Sequence, residues 1–185
     1  MLKKVAIAFG IVVVVLVVVI ATRPDAFRVE RSGVIAAPPG VVFPMVNDFH
    51  KWAAWSPWEK LDPNLKRTYT GQAEGPGAKY AWVGNSQVGE GRMTIVDSKA
   101  PASISIKLEF LKPFESTSDT LFSFAEDGTG TRVTWTMSGK HNLISKAFSL
   151  FMDMDKMVGP DFEKGLATMK TLAEAEAKKT ASEGK

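Results

Sequence analysis

Ile104-Ser105-Ile106-Lys107-Leu108-Glu109-Phe110 alternates apolar and polar side chains without a break. A period of two places Ile104, Ile106, Leu108 and Phe110 on one face of a β-strand, with Ser105, Lys107 and Glu109 on the other. The flanking stretches repeat the pattern. Tyr80 and Trp82 come before it, then Met93 and Ile95; Phe122 and Phe124 come after, then Val133, Trp135 and Met137. Turn chemistry bounds each run: Gly75-Pro76-Gly77, Gly84-Asn85-Ser86, Lys99-Ala100-Pro101 and Asp127-Gly128-Thr129-Gly130. Asp-Gly between two alternating runs is the strongest short-range hairpin signal. The pattern predicts an antiparallel meander of about six strands, one face wet and the other apolar.

Working outward, 27–35 reads as a further strand, with an irregularity expected near Ser32-Gly33. Val41, Val42, Met45 and Val46 give a helical stripe that Pro44 must keep short, since an interior proline costs about 3 kcal/mol. Trp52 and Trp55 sit one helical turn apart, and Pro57 ends that turn. On the C-terminal side, 143–158 is apolar and methionine-rich. Pro160-Asp161 suits a helix start, and Phe162, Leu166, Met169 and Leu172 or Ala173 follow at helical spacing. Residues 178–185 read as a disordered polar tail. A one-faced sheet needs a cover, and the stripe from Phe162 is the long helix available for it. The fold class is therefore α+β: a curved antiparallel sheet wrapped around a long C-terminal helix, spanning 27–177.

Residues 5–21 carry no charged or strongly polar side chain; Lys3 and Lys4 precede them and Arg23-Pro24 closes them. As a helix, 5–22 is about 27 Å long, close to the hydrocarbon thickness of a bilayer. Residues 1–23 thus read as a transmembrane anchor or an uncleaved signal. The rival, a cleaved signal peptide, normally has an apolar region of about 7–15 residues, and Val19 and Ala21 offer cleavage spacing. Lys3, Lys4 and the terminal amine favour an N-terminus inside and a domain outside the cytoplasm, against competition from Arg23, Arg28 and Arg31. Residues 23–26 leave little slack, so the domain should sit close to the bilayer.

Composition narrows the chemistry. The chain has 185 residues, no cysteine and two histidines, His50 and His141. Thiolate chemistry is excluded, a multi-histidine metal site is improbable, and no cofactor motif is present. Without Lys3 and Lys4 the 23 basic residues fall to 21, against 20 acidic ones. The domain is nearly neutral with no block of like charge, which argues against a nucleic-acid partner.

The element order resembles the SRPBCC superfamily, the START and Bet v 1-like helix-grip domains often labelled polyketide cyclase/dehydrase. The residues that carry it are Ile35-Ala36-Ala37-Pro38-Pro39 with Val42-Phe43, Val46-Asn47-Asp48-Phe49 with Trp52, and Trp55-Ser56-Pro57-Trp58-Glu59 with Asp62-Pro63. Gly77-Ala78-Lys79-Tyr80-Ala81-Trp82, Gly84-Asn85, Val88-Gly89-Glu90-Gly91, Thr131-Arg132-Val133-Thr134-Trp135 and Gly165-Leu166 continue it. The resemblance implies a cavity between sheet and helix. In this chain its lining would be Trp82, Met93, Ile106, Leu108, Phe122, Trp135, Met137, Phe162, Leu166 and Met169. Such a wall suits a lipid or other hydrophobic small molecule; the competing reading is a filled core. Trp52, Trp55 and Trp58 are read as structural packing, a cavity mouth or a contact with lipid headgroups. A cyclase- or hydrolase-like enzyme remains an alternative, with His141 and Glu90 as weak acid/base candidates. So does a protein-interaction module.

Overall fold

A computed structural model describes residues 2–140, 146, 150 and 153–183. Helix α1 (Leu2–Ala21) is followed by strand β1 (Ala26–Ile35), helix α2 (Pro39–Asn47), a 3-10 turn (Phe49–Lys51), the single turn α3 (Trp52–Trp55) and a second 3-10 turn (Pro57–Lys60). Six strands follow: β2 (Lys66–Gly71), β3 (Ala78–Val83), β4 (Glu90–Lys99), β5 (Ser103–Lys112), β6 (Ser116–Asp127) and β7 (Gly130–Lys140). Helix α4 (Met154–Glu183) completes the described chain. The sheet order is β1-β7-β6-β5-β4-β3-β2, and every pair is antiparallel. This is the expected meander, with the first strand returning to pair with the last.

The expected irregularity at Ser32-Gly33 is absent. β1 pairs with β7 without a break from Ala26↔Lys140 to Ile35↔Thr131. The register shifts lie in β4 instead, at Glu90/Gly91 and Ile95/Asp97, where they bend the sheet. Pro44 lies inside α2, which stops three residues later at Asn47.

The start of the long helix also differs from the sequence reading. It begins at Met154 and runs through Pro160. A proline there removes one hydrogen bond of the helix ladder, and tertiary contacts offset the loss. Met154 and Val158 pack against the core. Arg31 of β1 reaches across the first turns, bonding Asp155 through both terminal nitrogens (2.7 and 2.9 Å) and Glu163 through Nε (2.7 Å). Gly159 makes room for that guanidinium, because a Cβ there would lie 2.1 Å from Arg31 Nη2. Helix α4 then follows β1. Lys170 donates to the Val34 carbonyl (3.1 Å), and Glu174 accepts the Ala36 backbone N–H (2.8 Å). The helix continues to Glu183, so 178–183 are helical and exposed where the sequence reading has a disordered tail. Of the stretch expected to be helical over 143–158, most of 143–152 lies outside the described residues.

The sheet has two distinct ends. One holds the start of β1, the end of β7, the β5–β6 turn and the β3–β4 turn. The other holds the β6–β7, β4–β5 and β2–β3 turns. The concave face is filled unequally between them, and that inequality creates the site.

Candidate functional site

Near the second end the concave face is plugged by aromatic side chains. Trp52 and Trp55 are 3% and 1% exposed, and their indole N–H groups donate to the Val46 and Met45 carbonyls (3.0 and 2.9 Å). Both meet Phe122 edge-on, at 6.0 and 6.1 Å between centroids. Of the readings given to the cluster, packing fits Trp52 and Trp55. Trp52 and Trp55 are packing residues of the core, fixed from both sides, and their burial excludes a contact with lipid headgroups.

Towards the first end no such plug reaches the sheet, and a cavity of about 1040 Å3 lies between the strands and the first half of α4. That is the upper end of the range for small-molecule pockets, about 300–1,000 Å3. Its walls are Tyr80 and Trp82 of β3, Met93 of β4, Leu108 and Phe110 of β5, Ser118 and Thr120 of β6, and Trp135 and Met137 of β7. Met154, Met157, Val158 and Phe162 of α4 close it from the helix side, and Trp58 stands beside them. Of the residues expected to line a cavity, Trp82, Met93, Leu108, Trp135, Met137 and Phe162 do so. Ile106, Phe122, Leu166 and Met169 do not; they are buried in the packed half of the core. The reason is position along the strand. Ile106 and Leu108 share a face, but only Leu108 lies beyond the tryptophan plug.

Trp135 marks the boundary between the two halves. Its ring lies parallel to Phe162 at 3.9 Å and on Phe122 at 4.8 Å, with Trp58 edge-on at 5.8 Å. Gly165 permits this approach, since a Cβ there would lie 2.9 Å from the indole. The indole N–H of Trp135 is buried without a hydrogen-bond partner among the described residues. Trp52 and Trp58 both border the cavity, Trp52 buried and Trp58 half-buried.

The polar feature of the cavity is Glu59, which the sequence reading did not single out. It is 8% exposed and lies in the wall. Its Oε1 accepts from the Tyr80 hydroxyl (2.5 Å) and its Oε2 from Arg67 Nε (2.5 Å), while Arg67 Nη2 donates to its backbone carbonyl (3.2 Å). Tyr80 stacks on Tyr69, its cross-strand neighbour, and Tyr69 on His50, whose ring is bonded to Asp48. Burial pushes the Tyr80 hydroxyl far above its ordinary pKa, and the hydrogen bond to Glu59 and the charge of that carboxylate push the same way. Tyr69 is raised, first by burial. The Glu59 carboxylate raises Arg67. The trio is therefore an ion pair with a neutral phenol, in a wall whose other buried polar members are Ser56, Ser118 and Thr120. Glu59 carries no periodic signal because it sits in a 3-10 turn opened by Pro57, where neither helical nor strand spacing applies.

Glu90 lies outside the cavity wall, paired with Lys112 at 2.7 Å. His141 lies outside the described residues. Among the described residues no group of three His, Asp or Glu is placed to hold a metal ion.

The family model for polyketide cyclase/dehydrase and lipid transport proteins matches residues 26–174. The chain belongs to this family. Solved structures of the same fold include an uncharacterised protein from Rhizobium leguminosarum (16% identity, covering 82% of this chain and 96% of that one, TM-score 0.60). The Aha1 dimer from Colwellia psychrerythraea (13%, 80% and 96%, 0.57) and Ara h 8.0201 (10%, 81% and 99%, 0.56) are others. At these identities they show the fold alone. No curated protein sequence matches the chain. For this family member the comparisons bear out the helix-grip architecture that the sequence implied, and they carry its function no further than hydrophobic-ligand binding or cyclase-type chemistry.

Proposed function

We propose that this family member is a membrane-tethered carrier of a hydrophobic small molecule, a lipid or other acyl-chain compound, held in the cavity between sheet and α4. The observation that carries the reading is the cavity itself: about 1040 Å3, with walls built from aromatic and methionine side chains. A chain with this many large apolar residues has the means to fill such a space, as it does around Trp52 and Trp55. Met93, Met137, Met154 and Met157 give the wall unbranched side chains that adapt to an irregular guest. Glu59 and Tyr80 supply a polar spot for a hydroxyl or carbonyl on it.

Helix α1 supports the tether. Lys3–Ala21 has a mean hydropathy of 3.0 and none of it is buried against the domain. A signal sequence passes the same test; the length of the run and the absence of polar residues favour the span. Lys3 and Lys4 orient the domain to the non-cytoplasmic side in this reading.

Photolabelling tests the proposal. The full chain in nanodiscs is irradiated with a diazirine-bearing fatty acid, and the adducts are mapped by mass spectrometry. The expected adducts are on cavity methionines such as Met93 and Met137. They should weaken at Met137 in the double variant Leu108→Trp/Met93→Trp, because positions 93 and 108 are cross-strand partners and two indoles there narrow the cavity. Unchanged labelling of Met137 in this variant would overturn the reading.

A cyclase-type reaction is the second reading. Of the acid/base groups in the wall, Glu59 and Tyr80 are buried while Glu115, Lys140 and Asp161 lie nearer solvent, and Glu59 is committed to both Tyr80 and Arg67. That mutual bonding favours anchoring a ligand over moving its protons.

A further inference from the structure

The anchor and the open half of the cavity lie at the same end of the sheet. α1 ends at Ala21 and β1 begins at Ala26. The four residues between span at most about 14 Å fully extended. Phe27, the second residue of β1, is already a wall of the cavity. Lys140, the partner of Ala26 across the β1–β7 ladder, and Ser116 beside the β5–β6 turn line it too. The β5–β6 turn stands three strands from β1 in the sheet, about 14 Å away at ordinary strand spacing. The opening is thus within one linker length of where the anchor leaves the hydrocarbon.

That end also carries exposed apolar side chains. Phe114, in the β5–β6 turn, is 69% exposed, more than any other large apolar residue described outside α1. Leu111 precedes it, and Met157 of α4 is half-exposed across the opening. Phe114 and Met157 both line the cavity. The charges described near the rim are of both signs: Glu115 and Lys140 line the cavity, and Lys112 is paired with Glu90. Exposed apolar side chains beside a mainly apolar cavity, with charges of both signs around them, fit the boundary between headgroups and acyl chains better than an aqueous partner.

We propose that the cavity opens onto the bilayer that α1 spans, with Leu111 at the end of β5 and Phe114 of the β5–β6 turn seated in its interfacial layer, so that a membrane lipid enters without crossing water. This rests on the tether reading above, and the test separates the two. The chain has no cysteine, so single cysteines are unique labelling sites. Full-length Leu111→Cys, Phe114→Cys, Thr129→Cys and Val13→Cys variants are labelled with an environment-sensitive fluorophore and reconstituted in phosphatidylcholine vesicles. Quenching by doxyl-labelled phosphatidylcholine and by aqueous iodide is then measured. Thr129 lies in the β6–β7 turn at the opposite end of the sheet, and Val13 lies within α1. Doxyl quenching at 111 and 114 should exceed that at 129 by about twofold or more, as for side chains about 5–10 Å into the interface. Quenching at 13 with 111 and 114 as open to iodide as 129 overturns the docking and leaves the tether standing. Shielding of 111 and 114 from both quenchers, which a protein partner would give, overturns the docking also. No doxyl quenching at 13 overturns both.

Discussion

Glu59 offers the sharpest test of the site's internal electrostatics. In the native protein its two oxygens serve two donors, Tyr80 and Arg67, each at 2.5 Å. Glu59→Gln keeps the shape and removes the charge. Arg67 can only donate, so the amide oxygen must turn to it and the amide NH2 must face Tyr80. The tyrosine then becomes an acceptor, and its own proton loses its partner. The Tyr80 contact becomes a reversed bond between neutral groups and the Arg67 ion pair becomes a bond from a cation to a neutral amide, a cost of about 2 kcal/mol. Glu59→Leu strands both donors. Breaking a buried pair costs about 3–5 kcal/mol; the low end applies, because the Arg67 side chain is 31% exposed and recovers water. Denaturant unfolding followed by tryptophan fluorescence measures both changes. The same variant changes the alkaline limb. The Tyr80 hydroxyl is raised in the folded state by burial first, then by Glu59. A raised acid contributes stability that is fully present below its unfolded pKa of about 10 and is lost as pH climbs above it, at about 1.4 kcal/mol per pH unit. Tyr69 and Tyr80 are the only tyrosines, so tyrosinate absorbance near 295 nm reads them directly. In Glu59→Gln both contributions of the Glu59 carboxylate disappear while burial remains, and Tyr80 should ionise at lower pH than in the wild type, before the protein unfolds. A Gln variant within about 0.5 kcal/mol of wild type, with an unchanged alkaline titration, would refute the account of this trio.

Other expectations are more local. Gly91→Ala puts a methyl 2.4 Å from Trp82 and 2.6 Å from the Glu109 carbonyl, so the indole must swing into the cavity. The variant should lose about 1–3 kcal/mol in denaturant unfolding and bind acyl probes more weakly. Arg31→Ala removes the clamp on Asp155 and Glu163, and hydrogen exchange should speed up in the first two turns of α4 while β5 and β6 stay protected.

Much of this architecture was legible because the pattern around Ile104–Phe110 dictates a face, and six such faces make a sheet. The stripe Phe162, Leu166, Met169 identified the covering helix in the same way. Periodicity assigns a face and says nothing about what lies above it. Ile106 and Leu108 are indistinguishable by pattern, yet one is packed and the other borders open space, because Trp52 and Trp55 reach only part of the sheet. Pro160 was read as a start and sits inside α4, since the contacts of Arg31, Met154 and Val158 outweigh one missing hydrogen bond. Glu59 was invisible because it lies in a loop, and its burial comes from Arg67 and Tyr80, which are distant in sequence and adjacent in the sheet.

The central claim, that the cavity holds a membrane-derived hydrophobic guest, is tested most directly by native mass spectrometry of the full chain released from nanodiscs of its own host membrane. A one-to-one adduct of lipid mass is predicted on the wild type, surviving release, and weakened in Leu108→Trp/Met93→Trp. A wild-type spectrum of bare protein alone, or an adduct retained at equal intensity when the cavity is narrowed, would contradict it.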